Sequence, residues 1–171
     1  MVLKRNAIIR SLWWIAPVIL AVVCLALLFG GTGGAAPALA AQPVAPEDNV
    51  VTIGVQAALT LGNATIGVRQ ANAVQLAVDQ VNAAGGIDIG GTLYTVELAI
   101  ADSACKPEQA DDAANALLAA GAVAVVGDTC SSASFVAQPI FDAADVSMVS
   151  ASSTSPQLTD RGLDTTFRVI T

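Results

Sequence analysis

The stretch Val123-Ala-Val-Val-Gly127-Asp-Thr-Cys130-Ser131-Ser132 constrains the fold of this chain more than any other. A short valine-rich run ends in glycine and opens onto small hydroxyl residues. Such a run reads as a parallel strand buried on both faces, whose C-terminal end leads into a loop and a helix. In open α/β sheets ligands bind at that edge, because the amide donors at the next helix's start face the crevice.

The remaining segments alternate in the same style. Val50-Val-Thr-Ile-Gly-Val55 reads as a first strand, and Thr60 to Gly67, with Gly62 and Asn63, as the loop after it. From about Gly67 to Ala84, Ala71, Val74, Val78 and Val81 recur at helical spacing, and Gly85-Gly86 ends that helix. Ile87-Asp-Ile89 and Leu93 to Ile100 flank Gly90-Gly91, a tight turn into a strand. Pro107 suits the first turn of a helix whose apolar face is Ala110, Ala113, Ala114, Leu117 and Leu118. Ser131 or Ser132 can cap a helix running to about Ala144, Val146 to Val149 is a short strand, and Thr166 to Ile170 is a last extended piece. The order strand, helix, strand, helix, strand, helix, strand predicts an α/β fold. Its open parallel sheet has right-handed crossovers and helices on both faces.

The first forty residues read as a leader. Lys4, Arg5 and Arg10 precede an apolar run from Leu12 to Phe29, and Ala38-Leu39-Ala40 fits a secretory cleavage site. Residues 1–40 are therefore expected to be a signal peptide and 41–49 a linker, with 50–171 forming the folded part. The competing readings are a retained anchor over residues 12–29 and a lipid on Cys24, which has Val23 where such sites want Gly or Ala. Beyond the leader, Arg69, Lys106, Arg161 and Arg168 stand against all fourteen acids, a net charge of −10. That surface repels phosphate backbones, so nucleic acid is not an expected partner, and membrane contact is expected only through the leader.

Histidine is absent from the whole sequence, which removes serine–histidine triads, histidine metal sites and imidazole bases together. No G-x-G-x-x-G follows the first strand, no phosphate loop occurs, and no G-x-S-x-G elbow supports a secreted hydrolase. Neither an enzymatic activity nor a cofactor or metal is expected. Asp102, Asp111, Asp112 and Asp128 are the carboxylates open to acid–base work, but Asp111-Asp112 sits near a helix start, where carboxylates favour the dipole. Asn63-Ala-Thr65 matches a glycosylation sequon and reads as coincidence. Cys105 and Cys130 either pair, as two cysteines in an exported chain usually do, or remain as buried thiols. What is left is a surface of hydroxyls and amides in two loops, Thr129 to Ser134 and Ser150 to Ser155. Such donors suit holding a carboxylate without reacting with it, although serine also simply caps helices and fills turns.

In this order the motifs resemble the first lobe of a type I periplasmic binding protein of the leucine/isoleucine/valine-binding family of ABC transporters. Asn82-Ala-Ala-Gly-Gly-Ile87 matches the family's "NAAGGI", and Asp102-Ser-Ala-Cys105-Lys-Pro-Glu-Gln-Ala110 is similar to "DDACDPKQA". Val125-Val-Gly-Asp-Thr-Cys130-Ser-Ser132 resembles "VIGHLCSS", and Ser150 to Gly162 resembles "SPASTNPELTERG". Phe167-Arg168 looks like the pair that opens the family's next strand. The resemblance covers about residues 50 to 171 and implies that Cys105 and Cys130 form the family's disulfide. It further implies that Ser131 and Thr154 hold an amino acid's carboxylate through hydroxyl and N–H. Ser152 would offer its backbone carbonyl to the ammonium, and Thr129 would line the side-chain pocket. Thr60-Leu-Gly62 and Ile66 depart from the family's Ser-Gly-Pro and aromatic, and Lys106 replaces an Asp, losing a helix cap.

The expectation is thus an exported substrate-binding component of an ABC transporter for branched-chain or related amino acids. It would lie in the periplasm or on the outer face of the membrane and work with a permease. Because family members carry a second lobe, the chain reads as an incomplete, truncated lobe 1. The rival reading is the ligand-binding lobe of an extracellular sensor anchored by residues 12–29.

Overall fold

The structure is a computed structural model that describes residues 49–170; the leader at 1–40 and nearly all of the linker at 41–49 lie outside the described residues. Six strands form one sheet in the order β2-β3-β1-β4-β5-β6. They are β1 (Val50–Ala57), β2 (Ile87–Ile89), β3 (Thr92–Asp102), β4 (Ala122–Gly127), β5 (Ser147–Ser150) and β6 (Thr166–Arg168). The helices are α1 (Ala64–Ala83), α2 (Pro107–Ala119), α3 (Ser131–Ala143) and the single turn α4 (Gln157–Asp160).

Strand β1 is the hub. It pairs in parallel with β3 through Val50↔Thr95 to Ala57↔Asp102, and with β4 through Val55↔Val126. The chain goes out to β3, returns past β1 to β4, and continues to β5 and β6, both parallel. Only β2 runs antiparallel, on β3, because Gly90-Gly91 folds the two into a hairpin. Right-handed crossovers that reverse direction at β1 must put their helices on opposite faces. Accordingly Val55 and Ala57 of β1 pack with Ala71 of α1. On the other face Val125 and Met148 pack with Ala114, Leu117, Ala137 and Phe141 of α2 and α3. Leu117 and Phe141 are fully buried there, each stabilising the fold by about 1.5–3 kcal/mol through the apolar area removed from water.

Helix ends show why the motif residues are needed. Asn82 is a two-way clamp: its Nδ2 donates to Val96 O (2.8 Å), and its Oδ1 accepts the Val96 N–H (2.9 Å). Gly85 and Gly86 follow with φ of 104° and 99°, the left-handed turn that stops α1.

Local boundaries differ from the sequence-based expectation at several ends; β1 runs on to Ala57 and β3 to Asp102. Helix α1 starts at Ala64 rather than Gly67, because a 3-10 turn at Leu61–Asn63 runs straight into it. The residue capping α3 is Cys130, and Ser131 and Ser132 are already helical. Strand β5 is Ser147–Ser150, one residue later than expected, set by its pairing with β4 and β6. Strand β6 ends at Arg168.

Candidate functional site

The C-terminal ends of β1 and β4 are neighbours at the point where the strand order reverses, the place where open α/β sheets open a crevice. Three segments meet there: Ala58 to Asn63 after β1, Asp128 to Cys130 after β4, and Ala151 to Ser155 after β5. A fourth, Ser103 to Lys106 after β3, is tied to the second by the Cys105–Cys130 disulfide, whose Cα atoms are 5.3 Å apart. The expectation of a pair rather than two thiols therefore holds.

Hydroxyl groups organise these loops. The Asp128 carbonyl accepts from Ser150 Oγ (3.1 Å) and Ser153 Oγ (2.9 Å). Ser150 Oγ in turn accepts the Ser153 N–H (3.0 Å). Ser134 Oγ and Ser153 Oγ lie 2.8 Å apart. Ser153 gives its one proton to Asp128, so Ser134 is the donor in that contact. Serine at these positions therefore stitches the loop after β5 to the loop after β4.

The four residues expected to contact ligand fall at this one edge, with unequal freedom. Thr129 is 6% exposed. Its Oγ1 accepts the Ala58 N–H (3.0 Å) and donates to Gln70 Oε1 (3.2 Å), so its hydroxyl serves the fold, joining β1, α1 and β4. Ser152 turns its Oγ inward to Thr129 O (2.8 Å). Ser131 sits at the first position of α3, where the amides of the first turn have no intrahelical acceptor. Its Oγ accepts the Ser155 N–H (3.2 Å), which brings the start of α3 beside Thr154. Thr154 is exposed, and Arg168 Nη1 donates to its carbonyl (3.0 Å). Gln70 and Arg168, which sequence reasoning did not single out as site residues, support this edge; their only signal was proximity to it.

Asp102 and Asp128 do not form an acid–base pair. Asp102 accepts the Leu59 N–H (2.7 Å), the Thr60 hydroxyl (2.6 Å) and the Ala104 N–H (2.8 Å), clamping the loop after β1. Burial alone would raise its pKa, but the Thr60, Leu59 and Ala104 donors outweigh burial and hold it below the ordinary 3.8. A depressed folded pKa contributes stability that is present above the unfolded value and lost as pH falls through the folded one. Asp102→Asn is therefore expected to cost at most about 1 kcal/mol at neutral pH, since solvent screens this partly exposed carboxyl, and to remove that part of the acid sensitivity. Urea unfolding at neutral and acid pH measures both; an unchanged acid limb would refute the clamp.

Beside Ser152 lies a cavity of about 330 Å³ lined by Ile66, Arg69, Gln70, Ala73, Val126 and Ala151. Its walls are mostly apolar, which suits a hydrocarbon group. Among the described residues no cluster of three or more His, Cys, Asp or Glu side chains is placed to hold a metal ion, and no helix is long and apolar enough to cross a membrane.

Residues 69–171 match the model of the receptor family ligand binding region. An "Amino acid binding protein" of Pseudomonas aeruginosa is 40% identical over 120 residues, 70% of this chain and 31% of that protein. A "Leu/Ile/Val-binding protein" of Rhizobium johnstonii is 38% identical over 130 residues, 76% of this chain and 34% of its own length. Among solved structures, the branched-chain amino acid transporter substrate binding protein LivJ of Streptococcus pneumoniae, in complex with isoleucine, superposes with a TM-score of 0.64. It is 31% identical and is matched over 70% of this chain and 33% of its own. The chain thus spans about a third of the length of the relatives it matches.

Proposed function

Because this chain belongs to the receptor family of ligand-binding regions and has the type I periplasmic binding protein fold, we propose that it carries one wall of an amino-acid site in an exported solute-binding protein. The observation that carries this reading is the contact from the Ser155 N–H to Ser131 Oγ. It joins the two hydroxyl-rich loops at a helix N-terminus, where amide donors and the dipole favour a carboxylate.

In this reading the α-carboxylate lies against the first turn of α3, taking hydrogen bonds from Ser131 and Thr154. The Ser152 carbonyl faces the ammonium, its hydroxyl being turned away to the Thr129 carbonyl in the loop after β4. Thr129 holds the wall by bonding Ala58 and Gln70, and the apolar cavity beside Ser152 receives a branched hydrocarbon side chain. The relatives' printed names, amino-acid and Leu/Ile/Val binding, support an amino-acid ligand of the branched-chain class. Such a site binds and releases without catalysis. A permease of the ABC type is the partner to which it would deliver its ligand, and the residue 1–40 leader is what would export it.

Titration calorimetry of the chain with leucine, isoleucine and valine tests this. Ser131→Ala should weaken binding by about tenfold or more, since a hydrogen bond to a charged group is worth about 1.5–3 kcal/mol. Binding to one wall is expected to be weak, and an affinity unchanged in Ser131→Ala would refute the site.

A further inference from the structure

Gln70 of α1 is a half-buried amide in the largely apolar lining of the cavity beside Ser152, and it is bonded at both ends. Its Nε2 donates to the Gln56 carbonyl of β1 (3.4 Å) and to the Val126 carbonyl of β4 (3.5 Å). Its Oε1 accepts the Thr129 hydroxyl (3.2 Å). The chemistry of the partners fixes which way the amide points. Thr129 Oγ1 already accepts the Ala58 N–H (3.0 Å), so its own proton is directed to an oxygen, whereas the two carbonyls can meet only a nitrogen.

These bonds join the two sides of the cavity. Ile66, Gln70 and Ala73 stand on α1, Val126 on β4, and Ala151 and Ser152 in the loop after β5. Gln70 reaches Val126 directly. It reaches Ser152 through Thr129, whose carbonyl accepts Ser152 Oγ (2.8 Å). Helix α1 packs mainly over β1 and β3, so the gap between it and β4 depends on side chains that reach across. Apolar contact is non-directional and leaves that gap loosely defined, while a hydrogen-bonded amide sets a length.

We propose that Gln70 is a positioning residue that determines specificity: its amide holds α1 at a fixed distance from β4 and the loop after β5, and so sets the size of ligand side chain the cavity admits. This rests on the amino-acid site described above. The space held open, about 330 Å³, is at the small end of ligand cavities, which run from roughly 300 to 1,000 Å³. It favours a branched aliphatic group over an aromatic one. Other side chains cannot replace the amide. Glutamate would set a carboxylate against two carbonyl oxygens, methionine fills similar space without a polar atom that can donate, and asparagine is one methylene shorter.

NMR shift titration of the full chain with leucine and with phenylalanine, which reads weak binding, tests this on Gln70→Met and Gln70→Ala. Gln70→Met keeps the length and loses the bonds, so leucine should bind about two- to tenfold more weakly, the effect of one net hydrogen bond. Equal or tighter leucine binding would mean that the side chain only fills space, and would overturn the proposal. Gln70→Ala opens the cavity, and the ratio of leucine to phenylalanine affinity should fall about tenfold or more, as methylene-sized changes in apolar pockets do. A merely structural role lowers both affinities together, and an unchanged ratio overturns the proposal. Urea unfolding of Gln70→Met, Thr129→Val and the double variant reads the link without ligand. The two single changes remove the same bond, so the double variant should lose less stability than their sum, and a simple sum overturns the link. If Gln70→Ala fails to fold, leucine binding by Gln70→Met and the unfolding cycle still decide. A double variant below the sum, with leucine affinity unchanged in Ser131→Ala, refutes the amino-acid site and leaves the link standing.

Discussion

Replacing Cys105 and Cys130 together by serine is expected to lower the unfolding free energy by about 3 kcal/mol, the chain-entropy value for a closed loop of this size. The bridge spans a sequence separation of 25 residues, from the segment after β3 to the cap of α3. Those segments lie on either side of β1 in the sheet, so the loss should fall on the ligand edge as well as on the unfolded state. Two weaker contacts depend on the same geometry. Ser132 Oγ donates to the Cys105 carbonyl (3.3 Å), and Asn63 Nδ2 donates to Cys130 Sγ (3.4 Å). Urea denaturation of the double variant and of the wild type, with and without reductant, measures the effect. The reduced wild type should unfold with the variant, and coincident midpoints for oxidised wild type and variant would refute it.

Gly67→Ala should be of comparable size, about 2–3 kcal/mol, by a different route. Helix α1 crosses the end of β1 so closely that a Cβ at Gly67 would run into the Ala58 carbonyl. Backbone cannot yield as a side-chain tip does, so α1 has to move away. Moving it strains the Thr129–Gln70 hydrogen bond, and through Ala58 the other contact of Thr129. Weaker ligand binding should therefore accompany the lost stability. Gly62→Ala is the control: nothing lies within 4 Å of a Cβ there, and its effect should be within about 0.5 kcal/mol of zero. Equal unfolding midpoints for the two variants would contradict the close crossing.

Much of the candidate site's place in the sheet was legible because parallel strands advertise themselves. Val123 to Gly127 and Val50 to Val55 are apolar runs that end in small residues, and polar loops follow them. Such loops must lie at the C-terminal edge whatever the strand order. The hydroxyl-rich stretches after β4 and β5 were thus assigned correctly to one edge. Their division of labour was not legible. Thr129, expected to line a side-chain pocket, spends its hydroxyl on the fold; Ser152, expected to offer its carbonyl, ties its hydroxyl to the Thr129 carbonyl; and Asp128, a carboxylate open to acid–base work, is sealed beneath the turn.

By itself the sequence determined the alternation of strands and helices, the glycine stop after α1 and the two loops, because periodicity and turn chemistry act over a few neighbouring residues. Only the tertiary structure decided that β1 lies between β3 and β4, that Cys130 rather than serine caps α3, and which hydroxyls remain for a ligand. The contacts that settle those matters join residues far apart in the chain. Ala58 meets Thr129 across 71 positions, and Gln56 meets Ala110 across 54. Partners at such separations are chosen by how the whole sheet closes, and no local pattern records that choice.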